Sequence, residues 1–176
     1  DYVNKLRAGK VTEIRPCISC QEGCMGRIQH YSMINCAVNP QCARERVTAY
    51  NPILQPRKVL VVGGGVAGCE AARVLALRGH KPELFEKAGQ LGGNLLPGGA
   101  PEFKEDDIAL AKWYEVQLQK LNVPVHLNSE VRKEQVLAGD YDTVIIATGS
   151  TPKVFSLGDD DKVYTAAQVL LKEKDC

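Results

Sequence analysis

The stretch that decides the fold runs from Lys58 to Lys87 and reads KVLVVGGGVAGCEAARVLALRGHKPELFEK. Its first part, Val59–Val62, is a short apolar run typical of a strand buried on both faces of a parallel sheet. Gly63, Gly65 and Gly68 follow in the G-x-G-x-x-G register. In that register the first glycine permits a tight turn, the second lets the backbone approach a pyrophosphate, and the third lets the helix pack closely on the strand.

The residues after this turn complete a dinucleotide-binding fingerprint. Cys69–Arg78 is predicted to be helical, Gly79 is its expected stop, and Glu83–Glu86 is predicted to be a second strand. Glu86 ends that strand about 20 residues after the turn, where an acid bonds a ribose hydroxyl. The same acid would repel a 2′-phosphate, so NADP is disfavoured here. A glycine turn without a ligand is the alternative, but the strand–turn–helix context favours a dinucleotide.

Length and composition restrict the class of protein. The chain has 176 residues, enough for one domain or one domain with an appendage. Its net charge is +1, from 22 basic and 21 acidic residues without a basic stripe, so nucleic acid is an unexpected partner. No run approaches the ~18 apolar residues of a membrane span. Charged residues throughout the first 16 positions exclude the apolar core of a signal peptide, which predicts a cytoplasmic protein.

Strands and helices are predicted to alternate along the rest of the chain. The expected elements are a glycine-rich loop (88–101), a helix from Pro101 to Leu121, a strand from Val123 to Leu127, a short return beginning at Val131, a buried strand from Tyr141 to Ala147, and a strand remnant with a short helix between Val163 and Lys174. This alternation predicts an α/β fold with a doubly wound sheet. The apolar positions assigned to the long helix are Phe103, Ile108, Ala111, Tyr114, Leu118 and Leu121, and Trp113 is also expected to pack rather than bind a cofactor.

Five of the seven cysteines fall between positions 17 and 42, a stretch called here the cysteine segment. Cys17, Cys20, Cys24 and Cys36 have the spacing C-x2-C-x3-C-x11-C. A four-iron cluster takes four thiolates, often three close together and one remote. A structural zinc site usually uses two separated pairs, so the spacing favours iron–sulfur. Cys42 lies near enough to be an alternative fourth ligand.

Two further glycine motifs bear on the identity of the nucleotide. Leu91–Asn94 follows the strand that carries the acid, and backbone without side chains there could lie against a flavin. Ala147, Thr148 and Gly149 end the fourth predicted strand, where the glycine again permits close approach. Either motif could be an ordinary turn. Together with the fingerprint they favour FAD over NAD.

Four sequence motifs resemble those of one enzyme family. The segments IRPCISCQEGCMGR (14–27), NCAVNPQCARE (35–45), KVLVVGGGVAGCEAA and IIATGS are similar to the trimethylamine dehydrogenase, 2,4-dienoyl-CoA reductase and 2-enoate reductase family. The resemblance implies a longer parent, in which a TIM barrel carries FMN and the substrate site. It also implies a four-iron cluster, an FAD domain (ADP alone in one branch) and a second domain for NAD(P)H. On this basis residues 1–50 hold a connector from the barrel and the cluster, 51–57 a linker, and 58–176 a truncated FAD domain.

The resemblance assigns roles to individual residues. The implied cluster ligands are Cys17, Cys20, Cys24 and Cys36. The implied nucleotide-binding residues are Gly63, Gly65, Val66, Ala67, Gly68, Glu86, Lys87, Gly93, Asn94, Val131, Ala147, Thr148 and Gly149. Asn94 stands where the family commonly has glutamine, which leaves its contact open. Val131 stands where the family places a backbone contact to adenine.

The resemblance also implies a function. The parent would pass electrons from NAD(P)H through FAD and the cluster to FMN, and then to an activated C=C bond. This chain would hold the relay and no catalytic residue, so by itself it is expected not to reduce an alkene. The alternatives are an electron-input flavoprotein of the glutamate-synthase type and a zinc-and-nucleotide-binding module without redox chemistry. The sequence names neither the substrate nor the oligomeric state, for which a homo-oligomer is one option.

Overall fold

The computed structural model describes residues 2–153, 155 and 163–171, which include a four-stranded parallel sheet. The strands are β1 (Lys58–Val62), β2 (Lys81–Phe85), β3 (Val125–His126) and β4 (Thr143–Ile146), in the order β3-β2-β1-β4. The central strand β1 pairs in parallel with both β2 and β4, so it is buried between two neighbours. The order and direction are those of a Rossmann-like α/β sheet, as predicted from the sequence.

Helices connect and cover the strands. Within the described residues they are α1 (Tyr2–Arg7), α2 (Met25–Gln29), α3 (Val66–Leu77), α4 (Leu95–Gly98), α5 (Glu105–Lys120), α6 (Lys133–Ala138) and α7 (Ala166–Leu170), with 3₁₀ turns at Val11–Glu13 and Glu102–Lys104. In this part of the chain no helix has the length and apolarity needed to cross a bilayer. The segment 51–57, predicted to be an extended linker, contains no helix or strand.

The core lies between the sheet and the helices α3 and α5. Val59, Val61 and Leu84 alternate along β1 and β2 on this side, and each is at most 2% exposed. Cys69 and Ala72 of α3 are completely buried, because small side chains let the helix lie close to the strands. The side chains that α5 adds to this core are Leu110, Trp113, Tyr114 and Leu118, which confirms the packing role predicted for Trp113 and Tyr114.

Two helix boundaries differ from the prediction. Helix α3 begins at Val66, three residues before the expected start at Cys69, because the fingerprint turn leads directly into the helix. Its predicted stop is confirmed, since Gly79 adopts a left-handed φ of +90°. Helix α5 begins at Glu105 rather than at Pro101, where acidic residues fill its first turn and suit the helix dipole. Phe103 therefore lies in the preceding 3₁₀ turn and is 85% exposed, so its predicted place in the long helix is wrong.

The later strands are shorter than predicted. The third strand covers Val125–His126 instead of 123–127, because Pro124 lacks an N–H group and Asn128 has a positive φ of +52°. The fourth covers Thr143–Ile146 instead of 141–147. No return strand begins at Val131; helix α6 follows it instead.

The tail is only partly described. Residues 163–165 form no strand, so the strand remnant predicted there is wrong for these residues. The short helix is confirmed as α7, whose N-cap Thr165 accepts a hydrogen bond from the backbone of Gln168. Residues 172–174, the end of the predicted tail, lie outside the described residues.

The cysteine segment packs on the α3–α5 side of the domain. Val38 is 7% exposed and belongs to the same hydrophobic core as the helices. Ile18 and Cys36 are partly buried and pack against this core. Ser19 Oγ donates to Asp106 Oδ2 of α5 at 3.1 Å. The segment is therefore part of the domain's packing, although its own sequence is poor in apolar residues.

Candidate functional site

The fingerprint turn lies between the end of β1 at Val62 and the start of α3 at Val66. Gly63 has a φ of +106°, and a Cβ at this position would overlap the carbonyl oxygen of Ala147 at the end of β4. Both the backbone conformation and the contact therefore require glycine here. The first predicted role, a tight turn, agrees with this geometry.

The other two glycines of the fingerprint differ in what surrounds them. A Cβ on Gly68 would overlap the carbonyl oxygen of Gly63, so Gly68 permits the close contact between helix and turn. A Cβ on Gly65 would meet its nearest neighbour, Gly93 Cα, only at 4.0 Å. Gly65 is therefore not required by packing within the protein, and its lack of a side chain leaves backbone accessible from the adjoining cleft.

A cleft of about 720 Å³ opens at the carboxyl ends of β1, β2 and β4. Every predicted nucleotide-binding residue except Gly68 lines it: Gly63, Gly65, Val66, Ala67, Glu86, Lys87, Gly93, Asn94, Val131, Ala147, Thr148 and Gly149. This edge of a parallel α/β sheet is where such folds bind ligands. The fold therefore brings together residues that are separated by as many as 86 positions, from Gly63 to Gly149.

Sequence reasoning missed the remaining lining residues, which are Val62, Phe85, Ser129, Glu130, Ser150 and Thr151. Val62 and Phe85 are the last residues of β1 and β2, and the others follow the ends of β3 and β4. A signal was available, because residues at the carboxyl ends of parallel strands share one edge of the sheet. It would have located Val62, the correctly predicted end of β1, whereas the ends of β2, β3 and β4 were each predicted one residue too late.

Glu86 is bonded to the backbone on both of its carboxylate oxygens. Oε2 accepts from the N–H of Gly64 at 2.5 Å, and Oε1 accepts from the N–H of Ala88 at 2.7 Å. A carboxylate has about four acceptor sites, so two remain for a ligand hydroxyl. Glu86 thus lines the cleft and also holds the middle of the fingerprint turn.

The loop after β2 packs against the fingerprint turn. Gly92 pairs with Gly65 in a parallel bridge, and its N–H donates to the carbonyl of Gly64 at 2.9 Å. Gly93 has a φ of +53°, and a Cβ there would lie 3.0 Å from Gly65 Cα. Two backbone segments without side chains therefore meet at the cleft, which leaves room for a flat or extended ligand group.

A buried thiol forms a hydrogen bond with the fingerprint turn. The Sγ of Cys69 donates to the carbonyl of Gly64 at 3.2 Å, and the residue is 0% exposed. Burial raises the pKa of the Cys69 thiol to about 12, with a smaller contribution from the negative charge of Glu86. Cys69 is therefore a neutral structural thiol, distinct from the exposed cysteines of the cysteine segment.

The start of α3 supplies favourable electrostatics for an anion. The first N–H groups of a helix have no intrahelical partner and carry partial positive charge. Val66 and Ala67 are the first two residues of this 12-residue helix and line the cleft, and its N-cap Gly65 makes no side-chain cap. This arrangement suits a phosphate group.

The cysteine segment brings its thiols to the surface. Cys17, Cys20 and Cys24 are exposed, and Cys36 and Cys42 are half-buried. Burial raises the pKa of the Cys42 thiol, and the charges of Cys36, Glu45 and Cys24 add to this effect, so Cys42 lies close to two predicted ligands. Across the described ranges, no group of three or more His, Cys, Asp or Glu residues could hold a metal ion as arranged. The donor set is nonetheless the all-thiol set that iron–sulfur clusters use.

Comparison with known protein families assigns most of the chain. Residues 57–174 match the family model described as pyridine nucleotide-disulphide oxidoreductase. The chain belongs to this family. The match covers the sheet, the fingerprint turn and the cleft, and it confirms the predicted Rossmann-like fold for FAD or NAD(P)H. The cysteine segment lies before the matched residues.

The similarity to individual relatives of this family member also covers the cysteine segment. Cinnamate reductase of Clostridium sporogenes is 52% identical over 171 residues, which cover 97% of this chain and 26% of the relative. A solved structure of 2-naphthoyl-CoA reductase matches 98% of the chain with a TM-score of 0.91 and 32% identity. Histamine dehydrogenase from Rhizobium sp. 4-9 matches 98% with a TM-score of 0.83 and 26% identity.

These relatives confirm the resemblance to the enoate reductase and trimethylamine dehydrogenase family that the motifs indicated. The chain spans only about a quarter of their length: 26% of cinnamate reductase and 27% of each of the two solved chains. The relatives therefore contain further regions that this chain does not cover.

Proposed function

We propose that this chain is the electron-relay portion of an NAD(P)H-dependent flavin and iron–sulfur oxidoreductase that reduces activated C=C bonds. The observation that carries the proposal is the cleft at the fingerprint turn, where the first turn of α3, Glu86 and the Gly92–Gly93 loop converge. The similarity to cinnamate reductase and 2-naphthoyl-CoA reductase supports the reaction class and an enoate-type or enoyl-thioester substrate. A TIM barrel with FMN and an NAD(P)H domain complete the proposed parent.

The cleft fits FAD, or its ADP half, in three respects. The N–H groups of Val66 and Ala67 would bind the pyrophosphate at the helix start. Glu86 has two acceptor sites left for the ribose hydroxyls. Gly65 and Gly93, whose backbones lie in contact, present backbone without side chains along one wall of the cleft.

The outer part of the cleft would receive the rest of the nucleotide. Val131 lies on the adenine side beyond Glu86 in the proposal, and Ala147, Thr148 and Gly149 lie at the end of β4 near the turn. Asn94 and Lys87 add polar groups to the wall. All of these residues bind and orient the ligand, and none is assigned a proton transfer.

The cysteine segment is proposed to hold a four-iron cluster through Cys17, Cys20, Cys24 and Cys36. Exposed or half-buried thiols on one short segment fit a centre that completes its packing when it binds. When both groups are bound, FAD would accept a hydride and release single electrons, which the cluster would carry onward. The protein's part is to hold the two groups at a fixed separation and to exclude water from the nucleotide.

The nucleotide assignment is tested by denaturing the purified full-length parent and identifying what it releases by mass spectrometry. We expect FAD or ADP in addition to FMN. Release of FMN alone would contradict the assignment of the cleft. A variant Gly65→Val should retain FMN and lose the second nucleotide, because the new side chain would occupy the cleft beside Gly93.

The cluster assignment is tested by iron and acid-labile sulfide assays on cysteine variants of the full-length parent. Replacement of Cys17, Cys20, Cys24 or Cys36 by alanine should abolish the cluster, whereas Cys42→Ala and Cys69→Ala should retain it. Cys42→Ala is the most informative control, because Cys42 lies close to Cys36 and Cys24 but is not a proposed ligand. Loss of the cluster in Cys42→Ala with retention in Cys36→Ala would show that the fourth ligand was misassigned.

The same assays separate the rival functions. A zinc-and-nucleotide module would contain zinc without sulfide and would show no visible iron–sulfur absorbance. An electron-input flavoprotein of the glutamate-synthase type would contain iron and FAD without an FMN barrel. The 97–98% coverage of this chain by cinnamate reductase and 2-naphthoyl-CoA reductase favours the enoate-reductase assignment over both.

A further inference from the structure

Three charged side chains meet between the cysteine segment and helix α3. Arg73 binds Glu70 with two hydrogen bonds, from Nε to Oε2 at 2.8 Å and from Nη2 to Oε1 at 2.7 Å. Arg15 approaches the same carboxylate from the cysteine-segment side, with Nη2 at 3.4 Å from Oε2. The side chains are only 8%, 15% and 16% exposed for Arg73, Glu70 and Arg15, so this contact is largely shielded from water.

Arg15 joins both flanks of the cysteine set to this carboxylate. It precedes Cys17 by two residues, and it also donates to the backbone carbonyl of Val38, which follows Cys36 by two residues. Its guanidinium lies 4.3 Å from the ring centroid of Trp113 on α5, a cation–π contact. A single residue just before the segment therefore contacts, through its side chain, the return of the segment and both core helices.

Glu70 lies on the helix that begins at the nucleotide cleft. It is four residues after Val66, one helical turn beyond the residues of α3 that line the cleft. A helix is a rigid element, so a group held at Glu70 is held in register with Val66 and Ala67. The path from the cysteine segment to the cleft thus consists of one guanidinium, one carboxylate and one helical turn.

We propose that Arg15 and Glu70 are positioning residues that fix the cysteine centre relative to the nucleotide cleft. This inference rests on the proposed function, because it requires a cluster at the cysteines and a flavin in the cleft. Neither residue lines the cleft, and neither is a proposed ligand. Their role is to set the separation across which electrons would pass. With both groups bound, the two electrons of a hydride from NADH would leave the flavin one at a time, each passing through the one-electron cluster to the FMN of the proposed parent.

A role in stability alone is the competing explanation, and it predicts different behaviour. Removing one partner of a buried ion pair usually destabilises the fold, because it leaves the other charge without compensation. The two hydrogen bonds from Arg73 would still hold Glu70 if Arg15 were replaced. Loss of the Arg15 contact should therefore loosen the cysteine segment while the sheet and the cleft remain folded.

The test uses the full-length parent with Arg15→Met and, separately, Glu70→Gln, which keeps the shape of the side chain and removes its charge. Two rates are followed after mixing with NADH: bleaching of the flavin, and appearance of the reduced-cluster signal in freeze-quench electron paramagnetic resonance. We expect flavin reduction to stay within about twofold and cluster reduction to slow about 10–100-fold, the range typical of residues that support a metal site from outside its ligand shell. Iron and flavin contents are measured alongside.

A second readout does not depend on activity. Hydrogen–deuterium exchange should become faster in residues 14–20 of both variants and stay unchanged in β1, whether or not the cluster is present. Lys58→Met is the matched control, because it removes an exposed ion pair with Asp140 far from this contact and should alter neither readout.

The outcomes separate this inference from the proposed function. If the unmodified parent contains no cluster or no FAD, the proposed function fails, and the exchange measurement still decides whether Arg15 anchors the segment. If the parent is loaded as proposed but both variants show unchanged cluster reduction and unchanged exchange, the positioning role is wrong. If Arg15→Met loses its cluster, the positioning role is judged from the other measurements. Slower cluster reduction in Glu70→Gln with faster exchange of residues 14–20 in both variants would support it, and no change in either would contradict it.

Discussion

The carboxylate of Glu86 accepts a hydrogen bond from the backbone N–H of Gly64 at 2.5 Å, so the acid that ends β2 also holds the fingerprint turn that follows β1. The Gly64 peptide is fixed further by Gly92, whose N–H donates to its carbonyl, and by the thiol of Cys69. The turn and Glu86 are thus one hydrogen-bonded unit. Changes to Glu86 should therefore affect both ligand binding and the turn itself.

The first prediction concerns Glu86→Gln in the full-length parent. An amide has one acceptor oxygen, so it cannot accept from both Gly64 and Ala88 as the carboxylate does. We expect the affinity for the nucleotide to fall by ~1.5–3 kcal/mol, the range for hydrogen bonds to charged groups. Equilibrium dialysis of the deflavinated protein with FAD measures this.

The control for that prediction is Glu83→Gln on the same strand. Glu83 accepts from the Tyr141 hydroxyl at 3.1 Å and does not line the cleft, so its replacement should leave nucleotide affinity unchanged. Equal losses of affinity in the two variants would mean that the effect comes from the strand and not from the acid at the cleft.

The second prediction separates two glycines of the fingerprint. Gly65→Ala should fold normally, because the added Cβ has no neighbour closer than 4.0 Å and the φ of −74° suits alanine. It should nevertheless weaken nucleotide binding, since the methyl group would stand where the backbone approaches the pyrophosphate. Gly68→Ala should unfold or destabilise the domain by more than ~3 kcal/mol, because its Cβ would overlap the carbonyl oxygen of Gly63.

Urea titration and nucleotide binding, measured on both variants, check this pair. The expected pattern is a stable Gly65→Ala with weak binding and an unstable Gly68→Ala. A stable Gly68→Ala would show that helix α3 can move away from the turn at little cost. Full nucleotide affinity in Gly65→Ala would place the pyrophosphate elsewhere in the cleft.

The third prediction is a pH dependence that arises from Cys69. Burial raises the pKa of this thiol to about 12 in the folded protein, above its usual value of 9.0. A raised pKa means that the unfolded chain loses the proton first, so the stabilising contribution is present below about pH 9 and is lost as pH rises towards 12. The free energy of unfolding should therefore fall between about pH 9 and pH 10, and less steeply in Cys69→Ala.

Urea midpoints at several pH values check this, with Tyr114→Phe as the control. Burial also raises the pKa of Tyr114, but from a usual value of 10.0, so its contribution begins at higher pH. Identical slopes in the unmodified chain and in Cys69→Ala would contradict the prediction. Thiol labelling gives a second check, since Cys69 should react only in denaturant.

The fourth prediction uses the single tryptophan of the chain as a reporter. Trp113 is 5% exposed, donates from Nε1 to the carbonyl of Glu13 at 3.0 Å, and lies under Arg15. Arg15→Met should release residues 13–20 from α5, so the emission maximum of the 176-residue chain should shift to the red. Lys58→Met should leave it unchanged. An unshifted spectrum in Arg15→Met would mean that the other contacts of Trp113 suffice for docking.

Much of the fold was predictable because its signals are local. The apolar run of β1, the register of Gly63, Gly65 and Gly68, and the stop at Gly79 each depend on residues within a few positions of one another. The failures occurred at the ends of elements, where residue preferences that a hydrophobic period does not show decide the boundary. Phe103 fits the helical period of α5, yet the helix starts two residues later at Glu105 and leaves this side chain exposed. The short β3 is likewise limited by Pro124 before it and by the positive φ of Asn128 after it.

The sequence alone determined the family, the nucleotide fingerprint and the spacing of the four cysteines, because each is a pattern of residue types at fixed separations. Only the tertiary structure decided which of these residues share a cleft and which support it. Gly68 belongs to the fingerprint but contacts Gly63 rather than the cleft, whereas Ser129 and Thr151 line the cleft without belonging to a motif. The contact of Arg15 with Glu70, across 55 positions, is equally invisible in the sequence. The physical reason is that burial and charge pairing depend on how the helices cross the sheet, which no local pattern encodes.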